Sequence, residues 1–186
     1  MNLYVIRHGE TDWNKIFVLQ GITDIPLNEN GLKQASEASK QLKNVTFDHI
    51  YVSPLTRTKQ TLAGLNLTCK NIIEEPRLIE RNFGDFEGTT TNVREYWDYR
   101  LNLSTNNVEP IQEFFNRVYL VIKDIIDLYK DTDKNILLVT HNGVQMAINA
   151  ILTDFPLDSD ILSLRIPPCG FKIYNNPNIT TIPYKI

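Results

Sequence analysis

Four side chains in this sequence are placed to handle a phosphoryl group: Arg7, His8, Arg57 and His141. Arg7-His8-Gly9 follows a short apolar run, Leu3-Tyr4-Val5-Ile6, which reads as a buried strand. Residues released from the carboxyl end of a strand stand where open α/β sheets bind ligands. Arg7 brings a planar fork of donors suited to phosphate oxygens. Gly9 lets the backbone turn sharply and a ligand approach closely. His141 has a matching setting, after Ile136-Leu137-Leu138-Val139-Thr140 and before Asn142-Gly143. Two adjacent parallel strands would bring both histidines to one sheet edge. Arg57 follows another apolar run and opens a helix, so it reaches that edge too. The helix N-terminus there would add a positive dipole end that favours anions.

The elements that must position these groups alternate along the chain. Strands are expected at Leu3 to Ile6, His49 to Val52, Asn71 to Glu75 and Asn135 to Thr140. Further strands are expected at Ile161 to Ile166, Phe171 to Tyr174 and Ile179 to Ile182. A long loop runs to Pro26, after which Asn28 caps a helix with a core stripe of Leu32, Ala35, Ala38 and Leu42, weakened locally by Gly31. Ser53-Pro54 reads as an N-cap and first-turn proline for the helix carrying Arg57. Asn92 to Leu103 is expected to be helical, as is Glu109 to Tyr129, whose inner face is Phe114, Val118, Val121, Ile122 and Ile125. A last helix runs from the His141 motif through Leu152. This alternation predicts a three-layer α/β domain, with a mostly parallel sheet and helices on both faces, spanning residues 1–186 as one unit.

The 186 residues are 42% hydrophobic and 22% charged, with a net charge of −3. That is the composition of an ordinary globular protein, long enough for a real core. With no basic tail or patch, nucleic acid is not the expected partner. No apolar stretch is long enough to span a bilayer, and no signal peptide is seen, so a cytoplasmic protein is expected. Cys69 and Cys169 are far apart and lack ligand spacing, which predicts free thiols in a reducing compartment and no zinc site.

The motifs taken in order resemble the histidine phosphatase superfamily, the phosphoglycerate mutase-like proteins with an Arg-His-Gly signature. Arg7-His8-Gly9-Glu10-Thr11 matches that signature. Asn14, Gln20-Gly21, the segment from Pro26-Leu27 to Gln34-Ala35, Ser53-Pro54-Leu55-Thr56-Arg57-Thr58, Glu80 with Phe83-Gly84 and Glu87-Gly88, and Thr140-His141-Asn142-Gly143 follow in the family's order. The resemblance implies a phosphoglycerate mutase-like fold and a phosphohistidine formed on His8. It implies a phosphate pocket completed by Arg7, Arg57 and His141, with Asn14, Gln20, Gly21 and Asn142 assisting, and Glu80 as proton donor to the leaving oxygen. Two arginines and a cationic His141 would stabilise the transition-state charge, at about 1.5–3 kcal/mol per charged hydrogen bond. The second ring nitrogen of His8 should donate to a backbone carbonyl, with Gly9 as the local acceptor.

The expected activity is metal-independent hydrolysis of small phosphorylated metabolites, with no cofactor, no nucleic-acid or membrane partner, and a homodimer allowed. The principal alternative is a phosphoglycerate mutase, which needs a phosphoenzyme shielded from water. The stretch from Thr89 to Asn107 offers little length for such a cover, although Arg81 after Glu80 resembles the mutase pattern. A non-catalytic phospholigand module ranks lower, because the nucleophile and the acid are both present. A metal site on His8, Glu10 and Asp12 lacks a second ligand cluster. Substrate choice is expected to reside in Phe17 to Ile25 and Thr89 to Asn107.

Overall fold

Short, nearly unbroken apolar runs give the chain a sheet buried on both faces. In the computed structural model, which describes residues 1–156 and 159–179, the order is β1 (Asn2–Arg7), α1 (Asp12–Lys15), α2 (Glu29–Leu42), β2 (His49–Val52), α3 (Thr56–Leu65) and β3 (Ile72–Glu74), then α4 (Ile111–Tyr129), β4 (Asn135–Thr140), α5 (Asn142–Leu152) and β5 (Phe171–Asn175). The five strands form one sheet in the order β3-β2-β4-β1-β5. Four are parallel, and β5 joins the β1 edge antiparallel. Leu3, Val5, Tyr51, Ile136 and Leu138 face one side, packed with α4 and α5. Ile6, Ile50, Val52, Leu137 and Val139 face the other, against α2 and α3. Two covered faces explain why these strands read as nearly continuous apolar runs. The mostly parallel, three-layer arrangement agrees with the sequence reading.

After β1 the chain sends α2 to one face, and after β4 it sends α5 to the other, so the chain diverges between these two neighbouring strands. A crevice opens at such a point, outside the carboxyl ends of the strands. Along α4, Ile111, Phe114, Phe115, Val118, Val121, Ile122, Ile125, Ile126 and Tyr129 are buried, a wide apolar face at helical spacing.

Several expected elements take another form. The α2 stripe is Gly31, Ala35, Ala38 and Leu42, while Leu32 is 48% exposed. Gly31 faces inward because α2 lies directly on the first motif: a Cβ there would come 2.1 Å from the Glu10 carbonyl oxygen. Ser53 does not cap α3; the helix starts at Thr56. Its cap comes from Asp24, which accepts from Thr56 N at 2.8 Å and Thr56 Oγ1 at 2.7 Å. The expected helix at Asn92 to Leu103 is only a 3-10 turn, Arg94–Trp97. There Trp97 and Tyr99 pack edge-on against Phe114 and Phe115 of α4, and Asn102 has a positive φ of 43°, so tertiary anchoring overrides local propensity. The expected strand at Ile161 to Ile166 is a 3-10 turn, Ile161–Leu164. Ile179 is not in a strand, and the rest of the Ile179 to Ile182 expectation lies outside the described residues. Cys69 and Cys169 are free thiols. Among the described residues no helix is long and apolar enough to cross a membrane.

Candidate active site

β1 and β4 end in register, Arg7 beside Thr140, and His8 N donates to the Thr140 carbonyl at 2.9 Å. The two histidines therefore leave neighbouring strands at the same edge, their ring centroids 5.3 Å apart. His8 Nδ1 lies 2.7 Å from the Gly9 carbonyl oxygen. A carbonyl only accepts, so Nδ1 carries the proton and Nε2 the lone pair. The motif is braced from three sides. Gly9 N donates to Thr61 Oγ1 at 3.0 Å, Cys169 N donates to the His8 carbonyl at 3.3 Å, and a Cβ on Gly9 would sit 2.6 Å from the Gly31 carbonyl oxygen. His8 is buried beside Arg57 and Arg7, and that burial and those charges hold its pKa well below the ordinary 6.5. The ring is neutral at pH 7.

Arg57, 1% exposed, is held by three acceptors. Nη1 donates to Thr23 O at 2.8 Å, Nη2 to Gly21 O at 2.6 Å and Nε to His141 Nδ1 at 3.3 Å. A guanidinium has five N–H groups, which leaves two for a ligand. The loop supplying those carbonyls is clamped by Glu87. Its carboxylate accepts from Ile22 N at 3.0 Å, Thr23 N at 2.8 Å and Phe83 N at 2.9 Å, as well as from the Thr23 hydroxyl. Gly21 has a φ of +54° and no room for a Cβ beside Glu87, so glycine is required there. Arg7 donates Nη1–H to Ile166 O at 2.7 Å, and its buried Nε–H has no protein partner. Burial lowers both arginines to about 10, and they remain charged at neutral pH.

His141 departs from the expected cation. Because Arg57 Nε–H donates to Nδ1, the proton is on Nε2, which donates to Ser53 Oγ at 2.7 Å. Burial and the nearby arginines push its pKa well below 6.5. Ser53 thus serves His141 rather than a helix end. Both helix N-termini at this edge are occupied by the protein's own carboxylates: Asp24 at α3, and Glu80 at α5, where Glu80 Oε2 accepts from Gly143 N at 3.0 Å.

Glu80 Oε1 also accepts from Arg81 N at 2.9 Å. Burial raises its pKa above the ordinary 4.5, against the lowering effect of those two N–H groups. Arg117 fixes the segment that carries it, donating to Arg77 O and Ile79 O at 2.8 Å and to Glu80 O at 3.3 Å. Arg81 turns away from the ligand side. It donates to Glu109 O at 2.9 Å and to Tyr96 O, with its guanidinium 5.5 and 5.2 Å from the Phe83 and Trp97 ring centroids. Its work is to hold the Arg94–Trp97 turn.

A cleft of about 720 Å³ opens over this edge. Arg7, His8, Asn14, Gln20, Gly21, Arg57, Glu80 and Asn142 all line it, while the fully buried His141 lies behind Arg57. Asn14 also closes a capping box with Thr11. Gln20 Oε1 is buried without a partner, and Asn142 Oδ1 accepts from Ile166 N at 3.4 Å. Lys15, Arg94 and Arg165 line the cleft as well; they sit in loops or a single helical turn and carry no motif that would single them out. A second hollow of about 640 Å³ lies across the Arg94–Trp97 turn and shares Asn92, Arg94 and Trp97 with the cleft. Among the described residues no group of three or more His, Cys, Asp or Glu side chains is placed to hold a metal ion.

Residues 3–175 match the model of the histidine phosphatase superfamily (branch 1). PhoE of Bacillus subtilis, described as an uncharacterized phosphatase, is 36% identical over 164 residues, covering 87% of this chain and 81% of that one. GpmB of Yersinia pestis, described as a probable phosphoglycerate mutase, is 30% identical over 182 residues, covering 92% and 83%. The solved structure of Bacillus stearothermophilus YhfR superposes with a TM-score of 0.80 at 26% identity, covering 98% of this chain and 96% of that one. A family match running from β1 to β5 and taking in every group of the cleft floor places this chain in the histidine phosphatase superfamily.

Proposed function

We propose that this chain is a phosphatase that hydrolyses small phosphate monoesters through a phosphohistidine on His8, without a metal ion. The observation that carries the reading is the His8 ring: neutral, its proton held at Nδ1 by the Gly9 carbonyl, its Nε2 lone pair available beside two charged arginines. In the first step Nε2 attacks phosphorus and the ester P–O bond breaks. The leaving oxygen takes the proton of Glu80, whose raised pKa keeps a fraction of the carboxyl protonated. In the second step water attacks phosphorus, Glu80 accepts its proton, and the N–P bond breaks to release inorganic phosphate and restore His8. Arg7 and Arg57 answer the charge on the phosphoryl oxygens, the task a metal ion performs elsewhere. His141 acts behind Arg57, orienting its fork.

The similarity to PhoE supports hydrolysis, and the similarity to GpmB supports transfer between hydroxyls as the second reading. Arg81, the feature of the sequence nearest the mutase pattern, packs behind Phe83 and Trp97 rather than on the cleft, which favours hydrolysis. A panel of phosphorylated metabolites with EDTA present, run beside a phosphoglycerate mutase assay and rapid-quench trapping, tests the proposal. Phosphate release with an acid-labile phosphohistidine supports it. Turnover without that adduct, or activity abolished by the chelator, overturns it.

A further inference from the structure

The cleft carries more positive charge than one phosphoryl group requires. Five cations line it against two carboxylates, Glu10 and Glu80, on a chain whose net charge is −3. Arg7 and Arg57 belong to the floor. Arg94 is neutralised by Asp160 at 2.5 Å. Lys15 and Arg165 form no ion pair among the described residues; Glu10 feels the charge of Lys15 but takes its hydrogen bond from Asn28 Nδ2 at 3.0 Å. Arg165 is exposed, yet its backbone is tied to the floor. The next residue, Ile166, accepts from Arg7 Nη1 at 2.7 Å and donates to Asn142 Oδ1 at 3.4 Å, and Arg165 N donates to Leu162 O at 3.3 Å. Arg165 and Arg7 are near enough to repel each other, with Glu80 offsetting part of the charge on Arg7 but forming no ion pair with either. Like charges fixed together in this way are relieved by a ligand bearing anionic groups on both.

We propose that Arg165, with Lys15 as a second cation, forms a subsite for a second anionic group on the substrate. The enzyme then prefers phosphate monoesters whose remainder carries a carboxylate or another phosphate over those with an uncharged remainder. The inference rests on the phosphatase reading. Arg165 is a specificity determinant here and takes no part in bond making. An arginine fork and a lysine ammonium both accept either anion, so the chemistry they share is the negative charge itself.

The test compares kcat/KM of the full chain for glycerol 3-phosphate, 3-phosphoglycerate and glycerol 1,3-bisphosphate at low ionic strength. At least about tenfold preference for one or both charged esters is expected, the size of one charge-assisted hydrogen bond, and the favoured ester tells carboxylate from phosphate. Arg165→Gln should reduce that preference about tenfold, Arg165→Lys should keep most of it, and Lys15→Gln should reduce it less. Equal kcat/KM for the three esters, or a preference indifferent to both Arg165→Gln and Lys15→Gln, overturns the subsite while leaving the phosphatase reading standing. No turnover of any of the three, nor of p-nitrophenyl phosphate, overturns both.

Discussion

Arg57 donates its Nε–H to Nδ1 of His141 across 3.3 Å, and this contact sets the proton on both partners. It holds the imidazole neutral, sends the remaining ring proton to Ser53 Oγ, and aims the guanidinium fork at the cleft. Ser53→Ala would leave a buried ring N–H without an acceptor. The expected loss is about 1–3 kcal/mol of stability, read as a lower urea midpoint with an unchanged m-value. An unaltered midpoint would show that Ser53 is dispensable to the ring.

Arg57→Ala should lower kcat/KM by about 10²–10³-fold, the effect of removing one preorganised donor to developing charge. Arg57→Lys should recover little of it, because an ammonium cannot bond two loop carbonyls and the His141 ring while also reaching a phosphate. Recovery to near the parent rate would mean that charge alone, rather than the fork, is what the site uses.

Loss of the proposed nucleophile should be far more severe. His8→Ala is expected to lower kcat by several orders of magnitude with the fold retained by circular dichroism. No phosphoprotein should be trapped during turnover. Hydrolysis close to the parent rate would remove His8 from the mechanism.

The pH profile follows from two shifts of opposite sign. In the proposed mechanism His8 must be neutral to attack; its pKa is lowered, so activity is retained as pH falls below the ordinary 6.5 and is lost only on passing the depressed value. Glu80 must be protonated in the first step; its pKa is raised, so kcat/KM declines as pH climbs through that raised value. A bell-shaped profile with its optimum on the acid side of neutrality is expected. Glu80→Gln should remove the alkaline limb and slow poor leaving groups more than good ones.

Gly31→Ala sets two effects against each other. Alanine favours a helix interior by about 1 kcal/mol over glycine. The new methyl would lie 2.1 Å from Glu10 O and 2.8 Å from Glu10 N, and relieving such overlap in a packed site costs about 1–3 kcal/mol. The clash is with backbone and cannot rotate away, so net destabilisation and reduced activity are expected. A stabilised variant with full activity would mean that α2 shifts freely.

The floor of the site was legible in the sequence because its parts are contiguous motifs at strand ends, where residue type and position coincide. The pairing of β1 with β4 then brought His8 and His141 together as the two runs suggested. What the sequence hid depends on contacts between distant segments. Asp24 caps a helix 32 residues later, releasing Ser53 for His141, and the charge of His141 depends on which partners it meets. Tyr96, Trp97 and Tyr99 look helical in isolation but are claimed by the core around α4. Lys15, Arg94 and Arg165 converge only through the fold, since nothing local distinguishes them from solvated cations.

Cys169 touches the His8 backbone, but burial pushes its thiol up to about 12. Near neutrality such a group stays a thiol, whereas the thiolate is the form that alkylating agents and peroxide attack. A site whose proposed working atom is an imidazole nitrogen, and whose adjacent sulfur is kept protonated and enclosed, should go on turning over under oxidant exposure that silences cysteine-dependent enzymes.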